Sequence, residues 1–464
     1  MPQPAGSLAT AFHREVVIRG FESVYHGRRI YPYWKELERT QWLNRAELQA
    51  LQLGALRRLI EHAARHCPWY RETWQSAGLE PGRLKVLGDF ASWPLIQRAT
   101  ITEHRTAMRA TAPSLNLIAK ATGGSSGEPL RFDLDHNSND RRMAAWLRGY
   151  NWAGAGPGTK QFYLWGAPVG DVPDWKRLKL KLYDAIYRRR VVSSFGLSDA
   201  TVPDVLAKLQ RYRPDVIVGY TNPLYFFARA IRERGLTPPP IRSVIAGAEK
   251  LHDFQRREIE EAFQAPVFET YGSREFMLMA GECDRHAGLH LTFEQLLLEV
   301  VDDAGRPVPD GVEGNVVVTD LYNYGMPFIR YVNGDRAIAG FGTCPCGRGL
   351  PTLQQVTGRQ LDIVTTPDGR RVPGEFFPHL LKEFKPVRRF QVIQEELDRV
   401  RVQLVLSDRD PATLDAIRKA IGEVLGPQMT LAIEIVDEIP LSRSGKLQVV
   451  VNRMQPKAAS SGAA

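Results

Sequence analysis

Lys120-Ala-Thr-Gly-Gly-Ser-Ser-Gly-Glu-Pro-Leu130 is the stretch on which the reading of this chain turns. Glycines Gly123, Gly124 and Gly127 and hydroxyl residues Thr122, Ser125 and Ser126 fill six consecutive positions. Glycine adopts φ > 0 at little cost, so successive N–H groups can converge on an anion, and the hydroxyls add donors for phosphate oxygens. The composition suits a polyphosphate. It is not the P-loop of nucleoside triphosphatases, because Glu128 and Pro129 follow the last glycine where that motif needs Lys and Ser or Thr. A Gly/Ser surface turn has the same composition. The loop alone leaves both readings open, and the rest of the chain has to decide.

Downstream of the loop, apolar runs bounded by turn residues alternate with helical stretches. Gln161-Phe-Tyr-Leu-Trp165, Asp215-Val-Ile-Val-Gly219 and Ser243-Val-Ile-Ala246 are the runs, and helices are expected near 201–212 and 222–234. This alternation predicts an α/β fold with a largely parallel sheet, whose ligands lie beyond the carboxyl ends of the strands. Upstream, residues 21–80 read as helices, with the apolar periodicity of Gln49–Ala64 closed by Pro68. After residue 290, Leu297–Val301 and Gly314–Thr319 predict an antiparallel β subdomain. Beyond residue 362 the order strand, strand, helix, strand (389–394, 399–406, 413–425, 430–436) predicts a small α+β lid. The expected domains are therefore 1–361, with a helical start at 1–90 and the antiparallel part at 290–357, then a mobile lid at 362–456. The low-complexity tail at 457–464 is expected to be disordered.

At 464 residues the chain exceeds what one core usually supports, and its 43% hydrophobic and 24% charged content is that of a globular protein. No apolar run is long enough to span a bilayer, and His13, Arg14, Glu15 and Arg19 break up the start, so a cytosolic protein without signal peptide is expected. The net charge of +9 is concentrated at residues 176–190, where an anionic membrane surface or nucleic acid could dock. No RNA- or DNA-binding signature accompanies the cluster. It reads as a solvated face or an attractor of anionic small molecules, and no nucleic-acid partner is expected.

Five further stretches follow in order: Ala246-Gly-Ala-Glu249, Thr270-Tyr-Gly-Ser-Arg-Glu275, Arg330-Tyr-Val-Asn-Gly-Asp335, Gly358-Arg-Gln-Leu-Asp362 and Pro440-Leu-Ser-Arg-Ser-Gly-Lys446. Together with Thr122–Pro129 they closely resemble the adenylate-forming superfamily of acyl-CoA ligases, and within it the phenylacetate–CoA ligase branch. The helical start (Tyr33-Trp34, Thr40-Gln-Trp42, His62-Ala, Pro68-Trp-Tyr-Arg71) is similar to members described as capsular polysaccharide or coenzyme F synthetase-like. The resemblance covers about residues 20–455. It implies a large AMP-binding domain, a rotating lid, and a two-step reaction in which a carboxylic acid and ATP give acyl-AMP and then acyl-CoA. The implied cofactors are ATP, Mg²⁺ and coenzyme A, and the acid is expected to be aromatic or otherwise compact. An amine or a carrier-protein thiol is the alternative acceptor, and an inactive nucleotide-binding protein a third reading. A homodimer is compatible with the sequence.

The chemistry asks for such residues on its own terms. An acid attacking the α-phosphate of ATP needs phosphate donors, a metal at the pyrophosphate and a cation at the carboxylate. The glycine loop (Thr122, Gly123, Gly124, Ser125, Ser126, Gly127) would hold the β- and γ-phosphates. Glu275 is the Mg²⁺ ligand expected by its hard oxygens, and Tyr271, flanked by Gly272 and Ser273, offers a face for adenine. Asp335 would accept the ribose hydroxyls. By resemblance, Gly247, Ala248 and Glu249 border the adenine, Arg359 contacts the ribose or the hinge, Asp362 is the hinge, and Lys446 bridges the carboxylate and α-phosphate. Two positions depart from the family pattern. Glu128 replaces a Lys before Pro129, and Arg274 stands where a hydroxyl residue is usual.

A second constellation is Cys283-Asp-Arg-His286 with Cys344-Pro-Cys346. Three thiolates and an imidazole would close a tetrahedral structural zinc site. His286 is the expected imidazole, with His290 as its rival, and Cys67 stands apart.

Overall fold

The computed structural model describes residues 8–111, 116–122, 130–165, 174–194, 197–359, 363–368, 371–374, 376–381, 384, 386–440 and 447–454; a few side chains within these segments, Arg359 among them, are outside the description. The tail expected at 457–464 falls outside it as well.

The helical start is built as its periodicity requires. Asn44 caps the helix Arg45–His66: its side chain accepts from the Glu47 N–H at 3.0 Å while the Glu47 carboxylate accepts from the Asn44 N–H at 2.9 Å, a reciprocal capping box. Leu48, Ala55, Leu56, Leu59, Ile60 and Ala63 follow at helical spacing and are all buried. Pro68 opens the next helix, Pro68–Ser76, at a position where its missing N–H costs nothing. The aromatic residues here are packing residues: Trp74 meets Trp93 edge-on at 4.8 Å, and the Tyr70 hydroxyl donates to the Pro327 carbonyl at 2.6 Å.

Strands β1 (Leu117–Ala121) and β2 (Arg131–Asp135) pair antiparallel as a hairpin of their own. The main sheet takes β3 (Gln161–Trp165), β4 (Arg189–Ser193), β5 (Val216–Tyr220), β6 (Ser243–Gly247), β7 (Val267–Ser273), β8 (Met277–Glu282), β9 (Leu289–Leu291), β10 (Leu296–Val301), β11 (Glu313–Asp320), β12 (Tyr331–Gly342) and β13 (Thr352–Arg359). Its order is β10-β11-β12-β13-β9-β8-β7-β6-β5-β3-β4. β4, β3, β5, β6 and β7 run parallel, joined by helical crossovers such as Val202–Tyr212, Thr221–Glu233 and Asp253–Phe263. Every residue of β5 and β6 is buried, as expected of unbroken Val/Ile runs covered on both faces.

The antiparallel strands expected after residue 290 are present, and they continue the main sheet. Antiparallel pairing starts with β7 and β8, where a short turn replaces a helical crossover, and the strands that follow extend the same sheet. Arg330 locks this region. Its guanidinium is paired in a fork with Glu299 at 3.0 and 3.1 Å and also donates to the carbonyls of Ala91, Trp93 and Gly305.

The chain divides into two compact units, one holding residues up to Asn333 with Ala337–Val356, the other Thr357–Ser442 with Gly334–Arg336 and residues 447–454. The smaller unit carries β14 (Ile363–Thr365), β15 (Arg371–Pro373), β16 (Val387–Glu396), β17 (Arg399–Leu406), β18 (Thr430–Ile435) and β19 (Val450–Asn452). β16, β17, β18 and β19 form a four-stranded sheet in the order β18-β17-β16-β19. The helix Pro411–Leu425 packs Ile417, Ile421 and Leu425 into the same core as Val392, Val400, Val402 and Leu404. Asp410 caps that helix, accepting from the N–H groups of Ala412 and Thr413.

Candidate functional site

β1 and β2 flank the glycine-rich stretch, and Thr122 and Leu130 pair at its two ends. The Thr122 N–H donates to the Leu130 carbonyl and the Leu130 N–H donates to Thr122 Oγ1, both at 2.9 Å. The loop residues Gly123, Gly124, Ser125, Ser126 and Gly127 lie outside the described residues. The root of the loop is positively charged. Burial first, then the charges of Arg274, Arg142 and Arg28, pull the Lys120 ammonium below its ordinary pKa. Arg274 also donates to the Ala121 carbonyl at 3.4 Å.

The next group of residues sits at the carboxyl ends of β6 and β7. Gly247 ends β6, and a Cβ there would lie 2.5 Å from Thr270 Oγ1, which donates to the Ala246 carbonyl at 3.0 Å. Ala248 follows with φ of 68°. The Glu249 carboxylate accepts from the Asn222 N–H at 2.8 Å and its carbonyl from the Thr221 hydroxyl at 3.0 Å, so it anchors the start of the helix Thr221–Glu233. On β7, the buried Tyr271 accepts at its hydroxyl from Asn333 Nδ2 at 3.0 Å. Gly272 cannot be replaced without moving the turn, since a Cβ would fall 2.0 Å from the Met277 carbonyl oxygen. Ser273 Oγ is buried and Glu275 is 6% exposed; neither the hydroxyl nor the Glu275 carboxylate has a partner among the described residues. Arg142, from the helix His136–Trp152, holds the turn by donating to the Glu275 carbonyl while pairing with the Asp320 carboxylate.

Asp335 is buried on β12, two residues beyond Asn333. Arg359 ends β13, and Asp362 and Lys446 lie outside the described residues. Asn333 and Arg142 were not singled out as site residues by sequence reasoning. Asn333 stood inside a quoted stretch, but Arg142 carries no motif; its only signal is an Arg on a helix face otherwise lined by small residues such as Ala145 and Gly149.

Cys283, His290, Cys344 and Cys346 bring one ligand atom each within 4.8 Å of one another. The Cys283 and Cys344 sulfurs are 3.6 Å apart, and Cys346 Sγ is 3.3 Å from His290 Nε2. The expectation for the imidazole is corrected here, for His290 and not His286 meets the thiols. His286 sits in the β8–β9 turn with φ of 49°, its Nδ1 3.1 Å from the Glu282 carboxylate and its ring against Phe268. His290 lies in β9 opposite Gly281, and Nδ1 is 3.3 Å from the Leu350 carbonyl. That carbonyl fixes the proton on Nδ1 and leaves the Nε2 lone pair for the thiol side, the arrangement metal-bound histidines use. Burial pushes the Cys283 thiol up to about 12 and pulls His290 down to about 4, so the imidazole is neutral at ordinary pH. Arg348 lies beside the cluster: its N–H points at Cys346 Sγ at 3.4 Å, and its guanidinium donates to Gln41 at 3.0 Å and covers the rings of Trp42 and Trp152.

Residues 364–453 match the CapK C-terminal domain family. The phenylacetate–coenzyme A ligase of Thermus thermophilus is 26% identical over 457 residues, spanning 90% of this chain and 99% of its own. Protein CapK of Staphylococcus aureus is 22% identical over 440 residues, spanning 91% and 93%. Over nearly its whole length this chain is similar to the phenylacetate–CoA ligase and CapK-like branch of the adenylate-forming superfamily. Among solved structures, a 2-hydroxyisobutyryl-CoA ligase in the postadenylation state with R3-HIB-AMP is similar at a TM-score of 0.71 and 21% identity, covering 89% of this chain and 91% of that one. At that identity the likeness is one of fold. The similarity extends over both compact units, because these relatives match about nine-tenths of the chain.

Proposed function

We propose that this chain is an AMP-forming acid–CoA ligase. It joins a carboxylic acid to the α-phosphate of ATP with loss of pyrophosphate, then passes the acyl group from acyl-AMP to the thiol of coenzyme A. The observation that carries the reading is the edge beyond β7, where Tyr271 is held by Asn333 close in sequence to a buried carboxylate, Glu275, that has no partner among the described residues. A buried carboxylate is costly unless something compensates its charge, and a Mg²⁺–polyphosphate complex would do so.

In this reading the glycine-rich loop, rooted by the Thr122–Leu130 bonds near Lys120 and Arg274, holds the β- and γ-phosphates. Glu275 would hold Mg²⁺, whose charge would offset that of the leaving pyrophosphate. Tyr271 faces the adenine, Gly247, Ala248 and Glu249 border it, and Asp335 accepts the ribose hydroxyls. Arg359 and Asp362 belong to the hinge. Lys446 supplies the cation between the acid and the α-phosphate, where charge collects during attack. Cys283, His290, Cys344 and Cys346 would hold a structural zinc, for which three thiols and a neutral imidazole are the apt donor set. The acid is aromatic or compact, and the setting is the cytoplasm.

The test is acid-dependent exchange between ATP and pyrophosphate over a panel of small aromatic and aliphatic acids, followed by CoA, amine or carrier-protein acceptors. Exchange that needs an acid, with capture by CoA, supports the reading. Absence of exchange with every acid overturns adenylation, and capture only by amines or carrier proteins overturns the CoA step.

A further inference from the structure

The ligase reading leaves the basic stretch at residues 176–190 without a role, and the structure divides that stretch into two kinds of cation. Arg188 donates to the Gly158 carbonyl at 3.0 Å, and Arg189 lies over the rings of Trp146, Tyr163 and Tyr187. These two hold the fold. Lys179, Lys181 and Arg190 are exposed, and neither lysine has an acidic partner among the described residues.

Lys179 and Lys181 belong to the helix Asp174–Ile186. Its Tyr183 and Ile186 pack against the cluster that contains Tyr31, Trp34 and Tyr187. Trp175, Leu178 and Leu182, at i, i+3 and i+7, are turned to solvent instead, 64%, 69% and 60% exposed. A helix that buries one apolar side and presents a second one to water has more apolar surface than its own core uses. The neighbouring N-terminal helical segment repeats the pattern. His13 Nε2 is 2.7 Å from the Ile186 carbonyl, and Leu8, Phe12 and Val16, at i, i+4 and i+8, are exposed.

We propose that the helix Asp174–Ile186 is a docking surface for an anionic lipid bilayer, with Trp175, Leu178 and Leu182 entering the headgroup region and Lys179 and Lys181 pairing with acidic lipid. The composition favours lipid over nucleic acid or an acidic protein. Tryptophan and leucine alternating with lysine suit the boundary between headgroups and acyl chains, where an apolar stripe is buried while the cations meet the negative surface. Three inserted side chains and a few cations give reversible, salt-sensitive attachment. A ligase held this way would work beside the bilayer without crossing it; among the described residues no helix is long and apolar enough to cross.

The experiment is cosedimentation of the full chain with vesicles of phosphatidylcholine alone or mixed with phosphatidylserine. The expected result is binding to the mixed vesicles only, reversed by about 0.5 M salt. Lys179→Glu with Lys181→Glu should weaken it by about six-hundredfold, since each cation near an anionic surface is worth roughly fivefold and each reversal counts as two. Leu178→Ser with Leu182→Ser should weaken it by at least about tenfold. All four side chains are exposed, so circular dichroism and pyrophosphate exchange should be unchanged in both variants. No binding to mixed vesicles, equal binding to neutral ones, or binding indifferent to both variants would overturn the proposal. So would binding of an RNA oligonucleotide or an acidic carrier protein in place of vesicles.

Discussion

Asn333 Nδ2 donates to the Tyr271 hydroxyl at 3.0 Å although β8, β9 and β13 lie between their strands in the sheet. In a flat sheet four strand spacings would hold β7 and β12 roughly 19 Å apart, well beyond the reach of two side chains. The bond therefore requires the antiparallel half of the sheet to curl back on itself, and it brings Asn333 to the tyrosine. Tyr271→Phe keeps the ring and removes the acceptor, so it should cost about 1–2 kcal/mol of stability while ATP affinity stays within about threefold. Tyr271→Leu should lose about tenfold in ATP affinity as well, because the stacking face is gone. Urea denaturation and calorimetry read the two effects separately, and equal ATP binding by both variants would remove the tyrosine from the nucleotide site.

Thr122 gives a finer test of the loop than removal of its glycines, because it acts at the described root. Thr122→Ser retains the oxygen that accepts from Leu130, and Thr122→Ala deletes it. A lost neutral hydrogen bond of about 1 kcal/mol corresponds to roughly fivefold in the population of the ordered loop. ATP affinity measured by calorimetry should fall by about that factor in Thr122→Ala and recover in Thr122→Ser. If both variants bind like the parent, the glycine-rich stretch does not serve the nucleotide.

The metal cluster separates two histidines that sequence could not. Purified protein should carry about one zinc per chain by elemental analysis. His290→Ala should abolish that content and lower the melting temperature, whereas His286→Ala should keep the metal, since its ring pairs with Glu282. Zinc retained in His290→Ala and lost in His286→Ala would contradict the geometry.

Why His286 looked attractive and failed is a matter of register. It follows Cys283 by three positions, a common ligand spacing, yet it falls in a turn whose backbone carries its ring to Glu282. The three-residue strand that holds His290 is too short to show alternation, so its facing is set only by pairing with β8 and β13. The parallel strands were legible for the opposite reason: β5 and β6 are continuous apolar runs with a turn residue at each end. The smaller α+β unit was legible from its helix and long strands, but β19, which begins four positions after Lys446, was not. Arg142 and Arg330 escaped because nothing local distinguishes a buried arginine from an exposed one. Their partners Asp320 and Glu299 lie 178 and 31 residues away.

Glu269 makes stability depend on pH. Its burial, and next the charge of Glu282, push its carboxyl up to about 7 from an ordinary value of 4.5. The folded protein thus binds that proton more tightly than the unfolded chain does. The resulting stabilisation is present below about pH 4.5 and is lost as pH rises to about 7. Glu269→Gln should flatten this part of the profile and be more stable than the parent at about pH 8, read as urea midpoints across the window. Profiles that stay parallel would show that Glu269 titrates alike in both states.

The account stands most directly on which nucleotide the enzyme leaves behind. Protein mixed with ATP, Mg²⁺ and an accepted acid, without CoA, should accumulate bound acyl-AMP and pyrophosphate, detected by mass spectrometry of quenched samples. Adding CoA should convert it to thioester and AMP. In Lys446→Ala the first step should slow by about 10²–10³-fold. Preformed acyl-AMP should still be consumed near the parent rate, because thiol attack on the anhydride needs no cation at that place. Release of ADP and phosphate in place of AMP and pyrophosphate would contradict the account.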